Sequence, residues 1–221
     1  MSILVVGSVA FDSIETPFGK AERCLGGSAT YFSVAASFFT EVDVVAVVGE
    51  DFSDRDLEIF RGRHIRLDGL QRVPGEKTFF WSGEYGYDLN VAKTRDTQLN
   101  VFADFRPRLD ERQRRSEVLF LANIHPELQM DVLHQSERPK LVALDTMNLW
   151  IASKRDALEK AFRQVDLVIL LLLDDAAEDF GERDLTQGVG LPNPLPVIPN
   201  RVVLCPEVCP QHFLIVLGNL D

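Results

Sequence analysis

In the stretch CLGGSATYFSVAA, residues 24–36, two adjacent glycines stand directly before a run with helical spacing. Without side chains, Gly26 and Gly27 would let backbone N–H groups approach the hydroxyls of a ligand. Asp12, upstream of the loop ETPFGKAERCL, could accept hydrogen bonds from the same hydroxyls. A tight turn entering a helix is the plain alternative. Further polar residues gather where apolar runs end: Gly7 and then Asp12 after Val6, Gly49 to Asp51 after Val48, NIHPE after Ala122, and DTMN, Asp145 to Asn148, after Leu144. Ligands of open α/β sheets bind beyond the carboxyl ends of the strands. A single Asp or Asn in such a place is more often a turn former, but four strands emptying into hydrogen-bonding clusters point to a cleft.

Other chemistries find less support. His64, His125, His134 and His212 lack the close spacing of a metal site, and no metal is expected. There is no Gly-x-Ser-x-Gly elbow for a nucleophile, no lysine after the glycines as a Walker loop needs, and no Gly-x-Gly-x-x-Gly after a strand. Cys24, Cys205 and Cys209 follow no common zinc pattern and read as plain thiols. The stretch RPRLDERQRR, residues 106–115, mixes acids among its bases and reads as solvated surface.

The elements that must position these residues are legible as short β-branched runs alternating with helical patterns. Runs at 3–6, 42–48, 118–122, 141–144 and 167–173 are nearly continuous in apolar residues, which suits a parallel sheet covered on both faces. Phe32, Ala35, Ala36 and Phe39 have the spacing of an apolar helical stripe. Ser53 with Asp56, and Ser153 with Asp156, have the spacing of helix starts. The fold class is therefore α/β, a doubly wound, mostly parallel sheet. Residues 77–91, KTFFWSGEYGYDLNV, break the rhythm: Phe79, Trp81 and Tyr85 alternate with Thr78, Ser82 and Glu84 as in a half-exposed antiparallel ribbon. Such a ribbon could be a lid, a dimer surface or an ordinary edge hairpin.

The 221 residues, 46% hydrophobic, suffice for one sizeable core. A formal charge of -11, from 34 acidic and 23 basic residues, would repel a phosphate backbone and an anionic membrane alike, so neither nucleic acid nor membrane is an expected partner. MSILVVGSVAF reads as a buried strand rather than a signal peptide, and LVILLLL is too short to span a bilayer. A cytoplasmic protein is the expectation.

The order of VVGSVAFDSI, LGGSATYFSVAA, VAVVGEDF, GEKTFFWSGEY and LVALDTMNLWI resembles that of the PfkB (ribokinase-like) carbohydrate kinases over about residues 1–170. The resemblance implies a ribokinase-like fold with a small β-lid, and transfer of the ATP γ-phosphoryl group, with magnesium, to a hydroxyl of a sugar or nucleoside. It implies that Asp12 and the backbone at Gly26 and Gly27 hold this acceptor, that Asp51 and Asn148 lie near the cleft, and that Thr78, Phe80 and Trp81 belong to the lid, through which a homodimer could form. Tyr31 stands where many sugar kinases of the family have Asn; with Phe32 it could stack on a base, which keeps a nucleoside as the alternative acceptor.

After the last apolar run the family's Asn-x-x-Glu motif, which helps place magnesium and phosphate, is replaced by LLLLDDAAEDFGE, in which Asp175 and Glu178 keep a similar spacing. The Gly-Ala-Gly-Asp motif that cradles the phosphoryl group and supplies the base is absent, so no catalytic residue is assigned and turnover is expected to be weak or nil. The expected organisation is an α/β domain over residues 1–180, its lid ribbon at about 77–91, followed by an atypical tail over 181–221. Pro192, Pro194, Pro196, Pro199, Pro206 and Pro210 leave room only for short strands at 201–205 and 213–217. The tail reads as a frameshifted or truncated kinase end, or as a divergent extension. Truncation would leave the 167–173 run as an unpaired apolar edge and make the chain poorly soluble.

Overall fold

The computed structural model describes residues 2–87, 89, 92–171, 202–204 and 213–217. In chain order the elements are β1 (Ser2–Val6), β2 (Ala10–Thr16), β3 (Gly19–Gly26), α1 (Ser28–Ala36), β4 (Glu41–Gly49), α2 (Asp54–Leu57), β5 (Ile65–Val73), β6 (Phe80–Tyr85) and β7 (Ala92–Gln98). A 3-10 turn at Asn100–Phe102 leads into α3 (Glu111–Arg114), β8 (Val118–Leu121), α4 (Pro126–Gln135), β9 (Leu141–Met147), α5 (Asn148–Ser153), α6 (Arg155–Phe162), β10 (Leu167–Leu171), β11 (Val202–Leu204) and β12 (Phe213–Leu217).

The body is a sheet in the order β11-β12-β10-β9-β8-β1-β4-β5, parallel from β10 to β5. Its central strands are buried on both faces, which explains their unbroken apolar runs. Leu4, Val6, Val45, Val47, Leu119, Leu121 and Leu144 pack on one side with Val132 of α4 and Leu158 and Phe162 of α6. Val5, Val44, Ala46, Val48, Phe120 and Ala143 pack on the other with Ala29 of α1, Phe52 and Phe60. Helices on both faces make this the doubly wound α/β body expected from the pattern.

A second sheet, β3-β2-β6-β7, stands on the body. The residues expected to form a loop between Asp12 and the glycines instead form the antiparallel hairpin β2–β3. Within the ribbon expected at 77–91, Phe80–Tyr85 forms one strand, β6, which pairs parallel with β2 and antiparallel with β7. The lid thus has four strands.

Several local expectations are corrected. Helix α1 does not bury the Phe32, Ala35, Ala36 and Phe39 stripe: Ala35 and Phe39 are exposed, and the face on the sheet is built from Ala29, Thr30 and Ser33. These small residues let the helix lie close to β1 and β4, while Phe32 stacks on Phe120 with ring centroids 3.7 Å apart. Ser53 does open a helix, with the Asp56 carboxylate accepting from its N–H at 2.7 Å. Ser153 closes α5 instead, its hydroxyl donating to the Leu149 carbonyl. The stretch at 106–115 is more than solvated surface, because Arg112 pairs with Asp43, a β4 carboxylate only 2% exposed, and with Asp68 at 3.1 Å. Finally, β10 is not an open edge: β12 pairs with it antiparallel, and β11 continues the sheet beyond.

Candidate functional site

Asp12 lies on β2 where the lid leaves the body, paired across β3 with Cys24 and across β6 with Trp81. The two glycines shape its surroundings. A Cβ on Gly26 would fall 2.1 Å from Oδ2 of Asp12, so this carboxylate occupies the space that a side chain would take. Gly27 has φ 96°, a conformation that favours glycine, and a Cβ there would fall 2.3 Å from the Ser8 carbonyl oxygen. Gly27 then caps α1, whose Ala29 N–H donates to that same Ser8 carbonyl at 3.0 Å. The Asp12 carboxylate receives no hydrogen bond from the described residues, and burial pushes it up to about 6. The phenols of Tyr31 and Tyr85 are both pushed up, first by burial and then by the charge of Asp12. Tyr31 is 62% exposed and donates from its hydroxyl to the Leu25 carbonyl at 3.0 Å.

The floor beside Asp12 is made by the strand ends. Ser8, after β1, accepts at Oγ from the Ser28 N–H at 3.1 Å, and Ser28 Oγ donates to the Asn123 carbonyl, after β8, at 3.3 Å. The Asn123 N–H and the Thr146 N–H donate to Asp145 of β9, yet burial outweighs them and pushes that carboxyl up to about 6. Asn123 Oδ1 is buried with no partner among the described residues. Below them Gln129 of α4 reaches with Nε2 to the carbonyls of Leu121, Ala122 and Asp145 at 3.1, 3.0 and 2.9 Å, tying the ends of β8 and β9 together. Asn123 and Asp145 belong to the clusters seen at strand ends in the sequence, but neither was singled out there. Asn148 opens α5. Asp175 and Glu178 lie outside the described residues.

Asp51, expected near the cleft, is a joint between lid and body. Its Oδ1 accepts from the Thr78 N–H and hydroxyl, both at 2.7 Å, and its Oδ2 faces Arg23 Nη1 of β3 at 3.3 Å. Burial would raise its carboxyl, but these bonds from Thr78 and Arg23 hold it below the usual range. Thr78 Oγ1 also accepts from the Gly49 N–H at 2.9 Å, and the Arg23 guanidinium lies 3.8 Å above the Phe11 ring. Thr78 is buried in this joint, Phe80 packs toward the body core, and Trp81 shares the lid face of Asp12.

A doubly wound body with a four-stranded lid rooted beside a strand-end carboxylate is a ribokinase-like fold. The structure is similar to the Methanocaldococcus jannaschii nucleoside kinase, an archaeal member of the ribokinase family, at 16% identity and TM-score 0.54 over 77% of this chain and 70% of that one. It is similar to the fructokinase of Halothermothrix orenii at 14% identity and TM-score 0.54, over 78% and 80% of the two chains. A ribokinase from Thermotoga maritima matches at 17% identity and TM-score 0.52, over 78% and 72%. No protein-family model and no curated protein matches the sequence. No helix of the described residues is long and apolar enough to cross a membrane.

Proposed function

We propose that this chain is a PfkB-type carbohydrate kinase by ancestry that retains the acceptor side of the reaction: it binds a sugar or nucleoside through its hydroxyls and phosphorylates it weakly or not at all. The observation that carries this reading is Asp12, a half-buried carboxylate with no hydrogen-bond donor among the described residues, held against Gly26 at the root of the lid. A half-buried carboxylate that accepts from no donor among the described residues has its lone pairs open to a ligand's hydroxyls, and a polyol supplies several.

Phosphoryl transfer from ATP with magnesium further needs groups that hold the moving phosphate and take the hydroxyl proton. Asp175 and Glu178, the residues that the resemblance places near magnesium and phosphate, lie outside the described residues, and the reading is confined to the acceptor. A second reading, a non-catalytic sugar-binding module with a partner surface on the lid, draws on Phe18 and Tyr87, both exposed at the lid tip with ring centroids 5.9 Å apart.

Calorimetric titration with ribose, fructose, adenosine and inosine, alongside an assay for ADP release, tests the proposal. At least one acceptor should bind, Asp12→Asn should weaken it at least about tenfold, and turnover should fall below the roughly 1–100 per second of ordinary kinases. Failure of every sugar and nucleoside to bind would sink the reading.

A further inference from the structure

We infer that Gln129 of α4 is a positioning residue for the acceptor site: its amide fixes the ends of β8 and β9, and through Asn123 and Ser28 it sets the turn at Gly26 and Gly27 against which Asp12 is held. The inference rests on the reading of Asp12 as the acceptor's hydroxyl contact, and adds to it the group that fixes the floor beside that contact.

Gln129 stands where α4 would ordinarily bury an apolar side chain. It is 0% exposed and lies three residues before Val132, which packs in the core between α4 and the sheet. A glutamine there has lost its water, and its Oε1 has no partner among the described residues. Leucine or methionine would serve packing alone, so the donor end of the amide is what the position uses. Nε2 carries two hydrogens and reaches three backbone carbonyls, those of Leu121, Ala122 and Asp145, at 3.1, 3.0 and 2.9 Å. These carbonyls flank a gap in the sheet. Pairing of β8 with β9 stops at Leu121 and Leu144, whereas β9 runs on beside β10 to Met147. Ala122 turns to β1 instead, donating its N–H to the Val6 carbonyl at 2.9 Å. Where the two strands part, the Gln129 amide takes the place of the missing rungs.

The gap adjoins the point at which the sheet's connections reverse. The next helix after β1 is α1, whose Ala29 packs on one face; the next after β8 is α4, whose Val132 packs on the other. Ligands of doubly wound sheets bind outside the carboxyl ends of the strands at such a point. From the gap a line of hydrogen bonds runs to the glycine pair. The Asn123 N–H donates to Asp145, and the Asn123 carbonyl accepts from Ser28 Oγ at 3.3 Å. The Ser28 N–H in turn donates to Ser8 Oγ at 3.1 Å, and the Ser8 carbonyl that accepts from the Ala29 N–H is the one packed against Gly27. Members of one hydrogen-bond network are coupled in energy, and a double-mutant cycle measures the coupling.

The test is Gln129→Met, which keeps the length of the side chain and removes the donor, compared with the wild-type full chain by amide hydrogen exchange and by calorimetric titration with ribose, fructose, adenosine and inosine. Exchange at Ser28, Ala29 and Asn123 should quicken at least about fivefold, while residues 44–48 of the central strand β4 keep their wild-type rates. The acceptor that binds wild type best should bind the variant at least about fivefold more weakly. Ser28→Ala cuts the line nearer the glycines and should weaken binding by a similar factor; adding Gln129→Met to it should cost less than about a further twofold. Exchange that quickens equally throughout the sheet, or only at β8 and β9 without reaching Ser28, overturns the inference. So does a double variant whose losses simply add. Where Gln129→Met fails to fold, Ser28→Ala still decides, because wild-type affinity in that variant breaks the line. If no acceptor binds wild type while the exchange pattern is as expected, the acceptor reading fails and the placement of the floor by Gln129 stands.

Discussion

Asp12 at the root of the lid and Asp145 on β9 are each pushed up to about 6 by burial, so mildly acidic pH changes the charge of both. If ionised Asp12 accepts the ligand's hydroxyls, acceptor affinity should fall as pH drops through about 6. Titrations from pH 5 to 8 check this, and a profile that is flat in wild type, or unchanged in shape in Asp12→Asn, would contradict it. Asp145 is the more buried and bears on stability. Its folded pKa lies above the ordinary value of 3.8, so between about pH 4 and 6 the folded chain holds a proton that the unfolded chain has released. This group's contribution is therefore most favourable below that window, declines as pH rises through it, and is flat above it, with a total loss of about 3 kcal/mol. Asp145→Asn keeps an oxygen for the Asn123 and Thr146 N–H groups but carries no charge. It should be more stable than wild type at pH 8 by up to about 3 kcal/mol and nearly equal to it near pH 4. Denaturant unfolding at the two pH values is the check; a variant less stable at pH 8 would show that the carboxylate's charge is compensated in the fold. At this scale the glycine pair and Asp12 were legible because they sit in one compact pattern. Asn123 and Asp145 were visible only as members of polar clusters, since nothing in the local sequence shows that the backbone N–H of one meets the carboxylate of the other.

The lid shows which elements hydrophobic patterning can reveal. Body strands such as β4 are buried along nearly their whole length and read as apolar runs. β3, GKAERCLG, and β7, AKTRDTQ, are exposed over most of theirs, so neither carries the alternation that marks a half-buried strand. β5, IRLDGLQRV, lies at the sheet edge and is equally muted. What holds these weakly patterned strands in place is polar, and the joint around Thr78 is its centre. Its hydroxyl links the Gly49 N–H at the end of β4 to Asp51, which also holds Arg23 of β3. Thr78→Val keeps the shape but leaves the Gly49 N–H without this acceptor and removes one donor from Asp51. It should cost about 1–3 kcal/mol, whereas Thr78→Ser, with its hydroxyl intact, should cost less than about 1. Hydrogen exchange of the β6 amides should quicken in the valine variant alone. Equal stability of the two variants would mean that the joint contributes nothing to lid placement. Arg23→Met is expected to change stability by less than about 1 kcal/mol, because its ion pair with Asp51 is open to solvent.

For the whole molecule the decisive question is what closes the sheet beyond β10. A parallel α/β sheet that stopped at β10 would present an apolar strand with unpaired backbone groups, an invitation to aggregate. Instead, Phe213–Leu217 returns from the proline-rich tail and pairs along the full length of β10, with Ile215 opposite Ile169 and, on its other side, opposite Val203 of β11. The prolines explain why the tail looked incompatible with the fold: Pro206 and Pro210 stand between its two strands, and each strand is itself free of proline. The short apolar runs were thus legible, whereas their partner was not, because pairing with a strand more than 40 residues away leaves no local mark. The antiparallel cap makes a prediction that separates a structural tail from an inert one. Ile215→Pro removes a backbone donor from the strand between β10 and β11, and its ring crowds the ladder. Stability should fall by at least about 2 kcal/mol, and light scattering at working concentrations should rise as the β10 edge is freed. Pro199→Ala, outside both strands, should do neither. If Ile215→Pro leaves stability and scattering unchanged, β12 does not close the sheet in solution, and the open apolar edge expected from the sequence returns as the better account.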